Sequence, residues 1–112
     1  MSIELGMQYL NEKQFEKAHE VFVVEAENGS PNALYALSIM YHNGDYVKQD
    51  YGKEVELLQQ AAEYDFEPAL FNLSLAYAAG KGIEADPDTA MELMEDLADR
   101  GYEPALDMLK EK

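Results

Sequence analysis

The sequence predicts an all-α fold, an α-solenoid of about three antiparallel helix pairs followed by a C-terminal capping helix, about seven helices in all. Three observations carry this. Sliding the chain by 36 residues aligns residues 33–68 with 69–104 without a gap, and 12 of the 36 pairs are identical. Unrelated segments of ordinary composition would share about two or three. Apolar residues inside each copy recur at helical spacing, and capping residues, prolines and glycines stand where such helices must start and stop.

The 112 residues are expected to form one domain of four parts. Residues 1–32 make a shorter unit, marked by Leu5, Gly6 and Tyr9 on one helix and Phe15, Ala18 and Phe22 on the next, with a tight loop between. Ser30 and Pro31 close it and open the following helix as cap and first-turn proline. In the unit 33–68, the run from Ala33 to Tyr41 is a helix that stops at Gly44. Asp50 caps a second helix carrying Val55, Leu57, Leu58, Ala61 and Ala62. The unit 69–104 repeats the plan: Gly80 stops the first helix, and the second opens at Asp86, Pro87 and Asp88 and carries Met91, Leu93, Met94, Leu97 and Ala98. Residues 105–112 suffice for one last helix, covering the otherwise exposed end of the stack.

Composition narrows the function. Twenty-three acidic residues against 8 basic ones give a net charge of -15, which repels nucleic-acid phosphates and anionic lipid headgroups. Direct nucleic-acid binding is therefore not expected; a basic protein partner is. Acid is densest from Glu84 to Glu103, where eight carboxylates accompany only Arg100. The chain has no cysteine, which excludes disulfides and thiolate metal sites. Its first residues carry Glu4 in place of a basic leader and no apolar run follows, so neither a signal peptide nor a membrane span is read, and a cytoplasmic location is expected.

Catalytic chemistry finds no constellation. His19 and His42 lie in different units without ligand spacing around either. The Asp86-Pro87-Asp88 run lacks the turn glycine and closing glutamate of a calcium loop, and Gly80-Lys81-Gly82 lacks the spacing of a phosphate loop. No catalytic, cofactor-binding or metal residues are assigned, and an enzyme is not expected.

Taken together, Ala69, Leu73, Tyr77, Gly80, Gly82, Asp86, Ala90, Ala98 and Gly101, matched by Ala33, Leu37, Tyr41, Gly44, Asp50, Ala61 and Ala62 one unit earlier, resemble the Sel-one-like repeat branch of the tetratricopeptide superfamily. The first unit is similar to an ordinary tetratricopeptide repeat. Departures fall at Ser38 and Ser74, which replace a small glycine, at Tyr46, which replaces a second loop glycine, and at Asp65, which replaces the terminal glycine. The middle unit should be the less regular one. The resemblance implies scaffolding, adaptor or inhibitory binding without catalysis.

If Leu34, Leu37, Ser38 and Tyr41 pack between helices, the same helix presents Tyr35, Ile39 and His42 elsewhere. The equivalent positions are Phe71, Leu75 and Ala78 in the third unit and Ile3, Met7 and Leu10 in the first. A helix apolar all round is either buried on several sides or carries a binding face. The expected site is a groove lined by Met7, Tyr35, Ile39, His42, Phe71 and Leu75, with acidic rims from the second helices. The competing reading is that these side chains complete a core or are covered by a second copy in a homodimer. The function expected is protein binding through this groove, in the manner of an immunity-type inhibitor that neutralises a toxin such as a nuclease, with a peptide-recruiting adaptor as the alternative.

Overall fold

Local chemistry sets the helix ends. The computed structural model describes residues 2–110, and among them the chain forms α1 (Ile3–Asn11), α2 (Phe15–Glu27), α3 (Pro31–Asn43), α4 (Tyr51–Ala62), α5 (Glu67–Ala79), α6 (Pro87–Asp99) and α7 (Glu103–Lys110). The side chains of Ser2, Ser30, Asp50 and Asp86 accept from the amides of Leu5, Ala33, Lys53 and Thr89, each satisfying an N–H that the first turn leaves without a partner. The Thr89 hydroxyl donates to Asp86 as well, at 2.7 Å. That bond, then the Thr89 amide, holds the Asp86 carboxyl below its ordinary pKa. Gly44 and Gly80 end α3 and α5 in the left-handed conformation.

The cuts at 33 and 69 fall inside α3 and α5, which begin at Pro31 and Glu67, because first-turn prolines belong to the helix they open. The expected cap over 105–112 is α7; it begins at Glu103, and residues 111 and 112 of that span lie outside the described ones, as does residue 1 of the first unit.

Each helix packs on its neighbours in chain order, from α1 against α2 to α6 against α7, giving a stack of 40 × 26 × 24 Å. No helix among the described residues is long and apolar enough to cross a membrane. One core runs through the first two pairs into α5, centred on Phe22, Leu37, Met40, Leu58 and Leu73. A second joins Leu70 of α5 to Met94, Leu97 and Ala105 of α6 and α7. The apolar circumference of α5 follows from this position: Leu73 serves one core and Leu70 the other.

Where paired helices cross, side chains must be small. A Cβ on Gly6 would stand 2.5 Å from the Phe22 ring. Ser38 and Ser74 occupy the equivalent places fully buried, and their hydroxyls donate to the carbonyls of Tyr35 and Phe71, so the added oxygen is satisfied.

Three non-glycine residues among the described ones take the left-handed backbone, Lys13 in the first unit and Tyr46 and Asp65 in the middle one. Tyr46 and Asp65 keep the left-handed backbone of the glycines they replace, at φ 66° and 59° against 76° at Gly82 and 84° at Gly101. A residue with a Cβ loses roughly 1–2 kcal/mol there, least for Asp. Asp65 gains a contact glycine could not make: both its oxygens accept from the Arg100 guanidinium at 3.0 Å, and Arg100 also pairs with Asp96 at 2.9 Å. The hydrogen bond that Arg100 donates to Asp65 is the main reason its pKa is raised. Tyr46 lays its ring 5.2 Å from that of His19, whose pKa burial lowers against the opposing charge of Glu20.

Gly82 is fixed more firmly than by its φ. A Cβ there would lie 2.2 Å from the Tyr51 carbonyl oxygen, a backbone atom that cannot rotate away, whereas at Gly101 nothing lies within 4 Å. Gly101→Ala should therefore cost only the backbone term of roughly 1–2 kcal/mol. Gly82→Ala should cost clearly more, and denaturant titration of the two variants checks the order.

Candidate functional site

The residues that stacking leaves over on α3 and α5 meet at one place. Ile39 and His42 on α3 face Asn72, Leu75, Ala76 and Ala79 on α5 across a cleft of about 350 Å³, closed at one end by Tyr51 and Glu54 of α4 and by Lys81. The walls are apolar and the rim polar. Both Glu54 carboxylate oxygens lie against His42 Nδ1, at 3.0 and 3.1 Å. The Tyr51 ring tilts against the imidazole at 5.6 Å, and Lys81 Nζ stands over the same ring, 5.6 Å from its centroid. Glu54 is the more sheltered partner, its side chain 16% exposed against 51% for His42. An apolar trough with a sheltered carboxylate at one end suits a side chain with a hydrocarbon stem and a donor at its tip.

Three of the six expected groove residues, Ile39, His42 and Leu75, are thus brought together. Tyr35 and Phe71 lie outside the cleft, at equivalent places one unit apart. Tyr35 meets Phe66 edge-on at 5.6 Å, and Phe71 meets Tyr102 at 5.9 Å. The positions repeat while phenol and phenyl exchange sides, so this pair joins each first helix to the start of the next. Tyr35 also reaches the cleft from beneath, its hydroxyl accepting from Asn72 Nδ2 at 3.2 Å. Burial, then the neighbouring Tyr35 and Glu67, raises the Tyr102 pKa above its ordinary value. Met7 stands exposed on α1, apart from the cleft, while Ile3 and Leu10 pack against the core. Ala78 is exposed on α5.

Tyr51, Glu54, Asn72 and Lys81 were not foreseen. Asn72 alone left a signal: it stands where the preceding unit has Ala36, a polar residue in an apolar register. Glu54 lies twelve residues beyond His42 and meets it only because the loop after α3 folds back. Among the described residues, no group of three or more His, Cys, Asp or Glu could hold a metal ion.

The aromatic pairing has a measurable consequence. A double-mutant cycle on Phe71→Ala and Tyr102→Ala should return a coupling of about 0.5–1.5 kcal/mol. Additive losses in chemical denaturation would mean that the rings do not meet.

The Sel1 repeat family model matches residues 31–63 and 67–102. Three solved structures share the arrangement. A Sel1 repeat protein from Oxalobacter formigenes superposes with a TM-score of 0.86 at 24% identity, over 93% of this chain and 42% of that one. Helicobacter pylori cysteine rich protein B gives 0.76 at 26% identity, over 83% of this chain and 70% of that one. A protective antigen present in uropathogenic Escherichia coli strains, displaying an SLR fold, gives 0.72 at 26% identity, over 90% of this chain and 26% of that one. No curated protein sequence is matched. The present chain thus spans less than half the length of the first of these structures. Because the matched residues cover two successive helix pairs and more than half of the chain, it belongs to the Sel1 repeat family.

Proposed function

We infer that the chain is a non-catalytic binding protein that holds a basic protein partner in the cleft between α3 and α5. The observation that carries this is the sheltered Glu54 carboxylate at the end of an apolar trough, on a chain of net charge -15. A partner lysine or arginine could lay its stem along Ile39 and Leu75 and donate to Glu54 in place of His42. The surrounding carboxylates would steer such a partner in and exclude acidic competitors. Within this proposal, Met7 on α1 extends the contact surface, and Tyr35 and Phe71 act by holding the first helices in register.

The specific form we propose is an inhibitor of the immunity type, acting in the cytoplasm, that neutralises a toxin such as a nuclease by covering its basic active site. Acidity supports this form. An adaptor that recruits peptides by apolar contact is the alternative, and a homodimer would bury the same cleft.

Association kinetics distinguish these readings. For a partner captured from the source cell, the on-rate should fall about tenfold or more between roughly 0.05 and 0.5 M salt, since the Debye length shrinks severalfold. Glu54→Gln should weaken binding, and Lys81→Ala, which removes the cation on the rim, should speed association. An on-rate indifferent to salt and to Glu54→Gln would overturn the basic-partner reading in favour of the adaptor. A partner-free chain that sediments as a dimer would point to the homodimer.

A further inference from the structure

The cleft recurs one unit on with its chemistry changed. A second cavity of about 290 Å³ opens between α5, α6 and α7, and Leu75 is the wall the two share. Advancing by 36 residues turns His42 into Ala78, Tyr51 into Pro87, Glu54 into Ala90 and Asn72 into Met108, and all four line the second cleft. The helix arrangement is the same, so only the side chains differ. These four polar positions of the first cleft are apolar in the second.

Three of the six methionines, Met91, Met94 and Met108, line this second cleft. Methionine is flexible and polarizable, and it suits surfaces that adapt to varied apolar side chains. Carboxylates outnumber cations beside the lining residues, where Lys110 next to Leu109 is the one base. Asp88 and Glu95 lie one turn to either side of Met91, Asp107 adjoins Met108, and all three are exposed. Between Lys81 and Arg100 the chain carries seven carboxylates and no cation.

We propose that this second cleft docks the apolar face of a basic amphipathic helix belonging to a partner protein. The proposal rests on the basic-partner reading above and specifies the partner's shape. A methionine-lined apolar floor with acidic edges is complementary, in both polarity and charge, to a helix with one apolar stripe and lysines or arginines beside it. Leu75 lines both clefts, so one such helix laid across it would seat its apolar stripe in the second cleft and turn its flanking cations toward Glu54 in the first.

The test uses a synthetic Leu/Lys amphipathic peptide containing a single tryptophan on its apolar face. The chain has no tryptophan, so indole emission reports the peptide alone. Saturable binding with a blue shift is expected, accompanied by movement of the Met91 and Met108 methyl signals in NMR. Met108→Asp and, independently, Met91→Glu should weaken binding at least about tenfold, with circular dichroism confirming that each variant folds. If both variants bind like the parent while Glu54→Gln weakens the peptide, the second cleft is not the site and the basic-partner reading survives. If the same peptide with glutamate for lysine binds equally well, both readings fail. If the parent sediments as a dimer that Met108→Asp dissolves, a second copy occupies the cleft and the proposal is overturned.

Discussion

Two helices of a pair can share a core only if their backbones approach closely at the crossing, and that approach depends on one small residue per unit. Gly6 marks the limit, because even a Cβ there would strike the Phe22 ring. Ser38 and Ser74 show how much more the later units tolerate: one hydroxyl, fully buried and returned to the carbonyl three residues back. With the crossing set, the large residues around it, Leu37 and Met40 in one unit and Leu73 in the next, are brought into a common core. Enlarging the crossing residue would push the helices apart and detach the whole stack, since each unit's core is completed by its neighbour.

The same geometry divides every first helix into faces with separate duties. On α5, Leu70 and Leu73 serve two cores, Phe71 holds the start of α7 through Tyr102, and Leu75 is left at the ridge between two clefts. On α3, Tyr35 does for Phe66 what Phe71 does for Tyr102. The clefts are therefore a by-product of stacking: successive first helices meet at one end through the aromatic pair and stand apart at the other. Their floors are fixed by the core, while the side chains at the rims are free to differ, as Glu54 and Ala90 do. A repeat protein can in this way hold two unlike subsites on one backbone plan.

Much of this was legible in the sequence because repetition and capping act locally. The 36-residue copy, the caps Ser30, Asp50 and Asp86, and the stops Gly44 and Gly80 each follow from the conformational preference of a few residues. Helical periodicity also assigned Ile39, His42 and Leu75 to a face distinct from the stacking one. It could not say which neighbour crosses that face at each level. Tyr35 lies one turn before Ile39 on the same stripe, yet Phe66 crosses at its level and an open cleft lies at the next. Glu54 and Lys81 enter the cleft from other elements, and no periodicity within α3 reports them. The left-handed turn at Tyr46 was equally hidden in composition, since tyrosine seldom takes that backbone; only its place opposite Gly82 pointed to it.

The division of faces stands or falls on two leucines of α5, two positions apart. Leu73 is 6% exposed and Leu75 37%. Equilibrium unfolding of Leu73→Ala and Leu75→Ala, measured side by side, separates a core residue from a ridge residue. The expected result is a loss of about 2–5 kcal/mol for Leu73→Ala and less than about 1 kcal/mol for Leu75→Ala. Equal losses would contradict the account, because Leu75 would then be one more core side chain, with no face of α5 left to offer a partner.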